Sequence, residues 1–208
     1  MFYPKKVYFG DHVFLVDEHV YEPAEDTFLI AEKMRVTEDD TILDMGTGCG
    51  ILAVLAAEKA KSVLAVDVNP YALQCAVKNA ENNGVGERIE FRRGDLFQPI
   101  KQNERFRLIL FNAPYLPSEP DEEESWIGKA WAGGPNGRKI LDRFVMDAPK
   151  FLAAGGRIQL VQSSLSDVNR TLEVFGELHL RAMVAAQVKV AFESIVLVEA
   201  KLDVLPEN

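Results

Sequence analysis

Asp44-Met45-Gly46-Thr47-Gly48-Cys49-Gly50 decides how this chain is read. The heptapeptide completes an apolar run, Thr41-Ile42-Leu43-Asp44-Met45, that reads as a strand. It is followed by an Ala- and Leu-rich stretch, 51–60, that reads as a helix. Glycines placed where a strand turns into a helix let a ligand approach the backbone closely. The spacing is G-x-G-x-G, and taken alone it suits a tight turn without a ligand equally well.

Outward from this turn, short apolar runs alternate with amphipathic stretches. Ser62-Val63-Leu64-Ala65-Val66-Asp67 predicts a strand, and Pro70 at a first helical position opens a helix over 71–83 that stops at Gly84. Arg88-Ile89-Glu90-Phe91-Arg92 alternates as a strand does, and 106–111 is a continuous apolar run, as in a strand buried on both faces. A helix over 138–152 ending at Gly155-Gly156, a strand over 157–161 and a helix over 165–175 follow. Then come two strands with little between them, 178–190 and 194–201, which implies an antiparallel hairpin. The expectation is an α/β fold: a mostly parallel sheet, helices on both faces, and a C-terminal antiparallel hairpin. No repeat or Pro/Gly/Ser-rich linker divides the chain, so 1–208 reads as one domain. Residues 1–40, with a β-like piece at 7–16 and a helix starting near Glu22-Pro23-Ala24-Glu25, read as a cap on it.

Composition narrows the function. The 208 residues carry 23 Lys and Arg against 32 Asp and Glu, a net charge of -9. That argues against a protein whose main work is gripping nucleic acid, which needs clustered cations, though it leaves room for a local basic groove. There are two cysteines, Cys49 and Cys75, and three histidines, His12, His19 and His179; the two cysteines cannot by themselves build a disulfide framework or a structural zinc site. No apolar run reaches membrane-spanning length. The start, Met1-Phe2-Tyr3-Pro4-Lys5-Lys6, lacks the apolar stretch of a signal peptide. A soluble cytoplasmic protein is expected.

Two further aspartates share the crevice edge with the glycine turn. Asp67 closes the second strand, where a carboxylate accepts hydrogen bonds from ribose hydroxyls. Asp95, in Gly94-Asp95-Leu96 after the third strand, can meet an exocyclic amine. Each aspartate alone also reads as a helix N-cap; the argument lies in three successive strand ends. The fourth strand ends in Asn112-Ala113-Pro114-Tyr115. This can be a plain turn, since Asn and Pro punctuate chains. Functionally, an Asn side-chain oxygen and the next backbone carbonyl accept both hydrogens of a planar NH2 group. Pro114 keeps Ala113 extended, and Tyr115 can stack on the planar group. Such a site suits an amide or an aromatic amine.

Together these motifs resemble a class I S-adenosylmethionine-dependent methyltransferase acting on nitrogen, whose fold is a Rossmann-like sheet. Val20-Tyr21-Glu22-Pro23-Ala24-Glu25-Asp26-Thr27-Phe28, Ala130-Trp131-Ala132-Gly133-Gly134-Pro135-Asn136-Gly137-Arg138 and Asp142-Arg143-Phe144 are similar to the archaeal and eukaryotic branch of HemK-type release-factor glutamine methyltransferases. The tetrapeptide alone is shared with adenine methyltransferases. The resemblance implies S-adenosylmethionine as cofactor, held at Thr27, Asp44, Gly46, Gly48, Asp67, Asp95, Leu96 and Asn112. It implies catalysis at Asn112, Ala113, Pro114 and Tyr115, with no metal. The implied substrate is the Gly-Gly-Gln loop of a class I translation termination factor. It also implies a small zinc-binding activator subunit, placed at the edge strand Arg88-Ile89-Glu90-Phe91-Arg92. The family tetrapeptide is Asn-Pro-Pro-Tyr; Ala113 replaces its first proline, keeping the carbonyl and adding an N–H.

An amide nitrogen is a poor nucleophile and a sulfonium methyl a strong electrophile, so catalysis can rest on in-line positioning in a dry pocket. Neither His nor Cys is required. Cys49 and Cys75 read as small buried hydrophobes, and His12 and His19 as structural or exposed. Asp121-Glu122-Glu123-Glu124 reads as a solvated loop or a rim for a basic substrate segment, flanked by Trp126 and Trp131. Alternative functions are an adenine N6-methyltransferase on RNA or DNA, a non-catalytic cofactor-binding scaffold and, more distantly, a dehydrogenase.

Overall fold

The computed structural model describes residues 4–202; the first three residues of the N-terminal segment lie outside them. The chain runs β1 (Lys5–Phe9), β2 (His12–Val16), α1 (Glu25–Lys33), β3 (Thr41–Met45), α2 (Ile51–Ala57), β4 (Ser62–Asp67), α3 (Pro70–Asn82) and β5 (Ile89–Arg93). It continues with β6 (Phe106–Asn112), α4 (Trp126–Trp131), α5 (Lys139–Asp147), β7 (Leu152–Ser163), α6 (Val168–Glu177), β8 (Leu180–Lys189) and β9 (Ser194–Leu202). Seven strands form one sheet in the order β5-β4-β3-β6-β7-β9-β8. β5 to β7 pair in parallel, and β9 is antiparallel to both β7 and β8. This is the expected α/β sheet with its terminal hairpin, and the third strand of the alternating series, β5, lies at the sheet edge.

Helices cover both faces. On one, α1, α2, α3 and the β1–β2 hairpin pack over Ile42, Ala65, Leu108 and Leu110; on the other, α5 and α6 pack over Leu43, Ile109, Phe111 and Leu160. Successive residues of β6 face opposite cores, which is why Leu108, Ile109 and Leu110 are all fully buried. α2 is built from small residues, with Ala53, Ala56 and Ala57 fully buried, so it lies close on the sheet. The Cβ of any residue replacing Gly50 would stand 2.8 Å from the Ala76 Cβ of α3. α3 starts as a helix should: Pro70 occupies its first turn, and the Asn69 side chain accepts the Tyr71 N–H.

The expected piece at 7–16 resolves into an antiparallel hairpin turning at Gly10, which takes φ +56°. Asn79 of α3, fully buried, ties this hairpin down. Its Oδ1 accepts the Leu15 N–H, and its Nδ2 donates to the carbonyls of Leu15 and Cys49, each at 2.8 Å. Several boundaries differ from expectation. The helix over 51–60 ends at Ala57. The helix over 138–152 starts at Lys139 and ends at Asp147, because Pro149 lacks the N–H an α-helix needs and a 3-10 turn over Ala148–Phe151 replaces it. Gly155-Gly156 then lies inside β7, at a register shift opposite β6, rather than capping a helix. A side chain at Gly156 would meet the carbonyls of Ala153 and Phe106 within 3 Å. The helix over 165–175 begins only at Val168, because Asp167, in the left-handed region, caps it by accepting the Arg170 N–H.

Candidate active site

The carboxyl ends of β3, β4 and β6 open into a cavity of about 670 Å³, closed on the far side by α1, α4 and the start of α5. This is where an α/β sheet takes a ligand. The turn after β3 is held open by glycine: Gly46 and Gly48 have φ of +64° and +57°. A Cβ at Gly48 would meet nothing within 4 Å, so the backbone there is bare toward the cavity. Asp44 does not line the cavity. It is buried beneath the turn, where its Oδ2 accepts the Thr47 hydroxyl at 2.6 Å. Burial pushes its pKa up to about 7; the Thr47 bond opposes this and the nearby Asp67 charge adds to it.

Asp67 does line the cavity. Its Oδ2 accepts the Gly48 N–H at 2.9 Å and its Oδ1 the Asn69 N–H at 2.8 Å. Desolvation raises its pKa, and these N–H groups work against the rise. Asp95 and Leu96 stand at the same rim. Leu96 takes φ +48°, strained for a side chain of its type, and Asp95 pairs with Arg143 of α5 at 2.7 Å. Thr27 faces the cavity from the first turn of α1. Cys49 and Cys75 are buried, and burial pushes the Cys49 thiol up to about 12, so neither is a nucleophile.

Asn112, Ala113, Pro114 and Tyr115 form the inner wall. The Asn112 Nδ2 donates to Asp26 Oδ2 at 3.1 Å and Thr27 Oγ1 at 3.2 Å, while its Oδ1 is buried with no hydrogen-bond partner. Tyr115 is held in place at this wall: its hydroxyl donates to Asp26 Oδ2 at 3.1 Å, and its ring is largely buried. The extra N–H at Ala113 is in use, donating to the Val161 carbonyl at 3.4 Å. The Trp-Ala-Gly-Gly segment backs this wall. Leu116 donates to the Trp131 carbonyl and Gly133 to that of Leu116. Gly137, at φ +72°, lies so close that a Cβ there would stand 2.2 Å from the Tyr115 carbonyl oxygen.

Asp26 and Tyr21 are cavity residues that reading the sequence missed. Asp26 is 5% exposed and accepts from Tyr21, Tyr115, Asn112 and Thr27. The signal lay in the quoted Glu25-Asp26-Thr27 segment: an acid at a helix start that the chain buries.

The methyltransferase small domain family matches residues 23–127, the span holding the glycine turn, Asp67, Asp95 and Asn112-Ala113-Pro114-Tyr115. The chain belongs to the methyltransferase small domain family. This methyltransferase is 39% identical over 183 residues to a Methanocaldococcus jannaschii protein, MJ0928, provisionally named a protein N5-glutamine methyltransferase; the match covers 87% of this chain and 91% of that one. It is 32% identical to human methyltransferase HEMK2, over 74% of this chain and 77% of that one. A chain of the E. cuniculi Mtq2–Trm112 complex superposes with a TM-score of 0.70 at 22% identity, covering 89% of this chain and 99% of that chain, which places the two in one fold. Among the described residues no helix is long and apolar enough to cross a membrane.

Proposed function

We propose that this methyltransferase transfers a methyl group from S-adenosylmethionine to the side-chain amide nitrogen of the glutamine in the Gly-Gly-Gln loop of a class I translation termination factor. The observation that carries this reading is the buried, unpartnered Oδ1 of Asn112 at the cavity wall. A buried acceptor without a donor costs about 1–3 kcal/mol, and a substrate NH2 group removes that cost. The names of the relatives support the amide: MJ0928 carries a glutamine methyltransferase name, and the Mtq2–Trm112 complex is described as methylating the termination factor eRF1.

The residues present fit the cofactor. Gly48 leaves open space where a side chain would project, and the Asp67 carboxylate at the end of β4 suits ribose hydroxyls. Asp95 and Leu96 suit the adenine end, and Thr27, Gly46 and Asn112 complete the wall. When bound, S-adenosylmethionine supplies an electrophilic sulfonium methyl. The protein's part is positioning. Asn112 Oδ1 and the Ala113 carbonyl accept the two amide hydrogens, turning the nitrogen lone pair toward the cofactor side of the cavity. Pro114 and Tyr115 wall off water. Once nitrogen carries positive charge, its surplus proton leaves to solvent, so no side-chain base is needed.

The partner reading rests on β5, which among the described residues pairs only with β4 and so offers its other edge for strand addition by a small zinc-binding subunit. Ile89 is already buried in the chain's own core and Phe91 packs partly against it. The outer backbone edge, more than these side chains, is what a partner would cover. Such a subunit should raise solubility and activity together; a chain fully active alone and unchanged by the subunit would end this reading.

The test is mass spectrometry of termination factor after incubation with enzyme and S-adenosylmethionine, with bulk tRNA, rRNA and DNA offered in parallel. One methyl group on the Gly-Gly-Gln glutamine, lost in Asn112→Ala, is expected. Methylation of nucleic acid instead, or near wild-type turnover by Asn112→Ala, would overturn the assignment.

A further inference from the structure

Asp26, the second residue of α1, is the meeting point of the inner wall. Its Oδ2 accepts from three groups at 3.1 Å: the hydroxyls of Tyr21 and Tyr115 and the Nδ2 of Asn112. Its Oδ1 accepts the Thr27 N–H at 2.6 Å and the Thr27 hydroxyl at 3.2 Å. The Thr27 proton is thereby committed to Asp26, so Thr27 Oγ1 turns a lone pair toward Asn112 Nδ2, 3.2 Å away. Both neighbours of the Asn112 amide within the protein are acceptors, and both owe this to Asp26.

A carboxamide has two near-isosteric orientations. Flipping Asn112 would set its oxygen against the Asp26 carboxylate and Thr27 Oγ1, acceptor against acceptor. The observed orientation leaves Oδ1 without a protein partner. Resting on the glutamine-amide reading above, we propose that Asp26 is a specificity-determining positioning residue. It fixes the flip of Asn112 so that the site presents an acceptor, admits an N–H donor and rejects a carboxylate. The chain thereby tells glutamine from glutamate, two side chains of one size, with Asp26 setting the sign of one of the two hydrogen bonds that the amide makes beside the Ala113 carbonyl. Burial and the Asp26 charge raise the pKa of Tyr21 and Tyr115, so both hydroxyls remain donors to Asp26 through neutral pH.

The decisive variant is Asp26→Asn. The Thr27 backbone N–H cannot turn and holds the variant's side-chain oxygen where Oδ1 stands, which puts an N–H2 where Oδ2 stands; the tyrosine hydroxyls can rotate to accept, and Asn112 is driven to flip. Binding of a Gly-Gly-Gln peptide and its Gly-Gly-Glu counterpart is measured by calorimetry with S-adenosylhomocysteine present. Wild type should prefer the glutamine peptide by at least about tenfold, as a site built around a buried polar group does. In Asp26→Asn that preference should fall at least about fivefold, because only the Ala113 carbonyl still meets the amide as an acceptor. A merely structural defect would weaken both peptides equally, and that result, or an unchanged ratio, overturns the proposal. Should Asp26→Asn not fold, Thr27→Val removes one of the two acceptors and should narrow the preference by about two- to threefold; no narrowing overturns it. The side-chain amide resonances of Asn112 in 15N-labelled protein supply a substrate-free readout. They should lose their carboxylate-bonded shift in Asp26→Asn, and unshifted resonances refute the orientation. If wild type methylates no glutamine, the functional reading fails while this amide readout still decides whether Asp26 sets the flip.

Discussion

The carboxylate of Asp67 reaches back across the sheet to the turn after the neighbouring strand, accepting the Gly48 N–H at 2.9 Å. Two strand ends that look independent in sequence are thus one structure. The residue suited to the ribose also braces the glycine loop beside it.

Asp67→Ala should therefore cost twice over. Loss of charge-assisted hydrogen bonds to the ribose corresponds to about 1.5–3 kcal/mol, and the freed Gly48 N–H loosens the turn. Calorimetry should show cofactor affinity lowered by at least about tenfold; unchanged affinity would contradict the assignment.

Asp44 makes stability depend on pH. Its carboxyl has a pKa of about 7 in the folded chain, above the ordinary carboxylate value, chiefly because it is buried. Between those two values the native state holds a proton that the unfolded chain has released. Stability from this group is full below the ordinary value and is lost as pH rises through about 7. Asp44→Asn removes the ionisation, and the Thr47 hydroxyl can turn to serve the new amide. The melting temperature of Asp44→Asn relative to wild type should rise from pH 5 to pH 8 in cofactor-free protein. A difference independent of pH would show that Asp44 titrates normally.

Gly137→Ala should damage the inner wall from behind. The residue combines φ +72° with a would-be Cβ 2.2 Å from the Tyr115 carbonyl, and backbone must move to relieve that contact. A loss above about 2 kcal/mol in denaturant unfolding is expected, with methyl transfer reduced more than cofactor binding.

Ala113→Pro restores the family tetrapeptide but removes the bond to Val161. That bond is long at 3.4 Å, and its loss of about 1 kcal/mol or less sets against about 0.4–1 kcal/mol gained by stiffening the unfolded chain. Thermal unfolding should place the variant within a few degrees of wild type. A large drop would show that the Val161 bond anchors the turn.

Much of this was legible from local chemistry. The glycine turn, Asp67 and Asn112 stand at strand ends, and alternation of strand and helix places strand ends along one crevice, so their convergence follows from the pattern. What escaped depends on pairs distant in sequence. Asp26 becomes a hub only because Tyr115, 89 residues away, is folded against it. Asp44 shares the motif with Gly46 yet lies beneath the turn, because the chain folds back over it and the Thr47 hydroxyl, three residues on, donates to its carboxyl. The start of β7 was misread because Gly155-Gly156 has the composition of a helix stop, and only contact with Phe106 of β6 reveals a bulge.

The three bonds of Asn79 also govern how the molecule assembles. The hairpin finds this anchor only when α3 exists, 64 residues later, and the same side chain grips Cys49 in the glycine turn. Contacts of such sequence separation form late and slow the folding of the chain that needs them. One amide thus fastens both the hairpin and the Cys49 end of the glycine turn, and a nascent chain released before α3 emerges lacks both of these bonds.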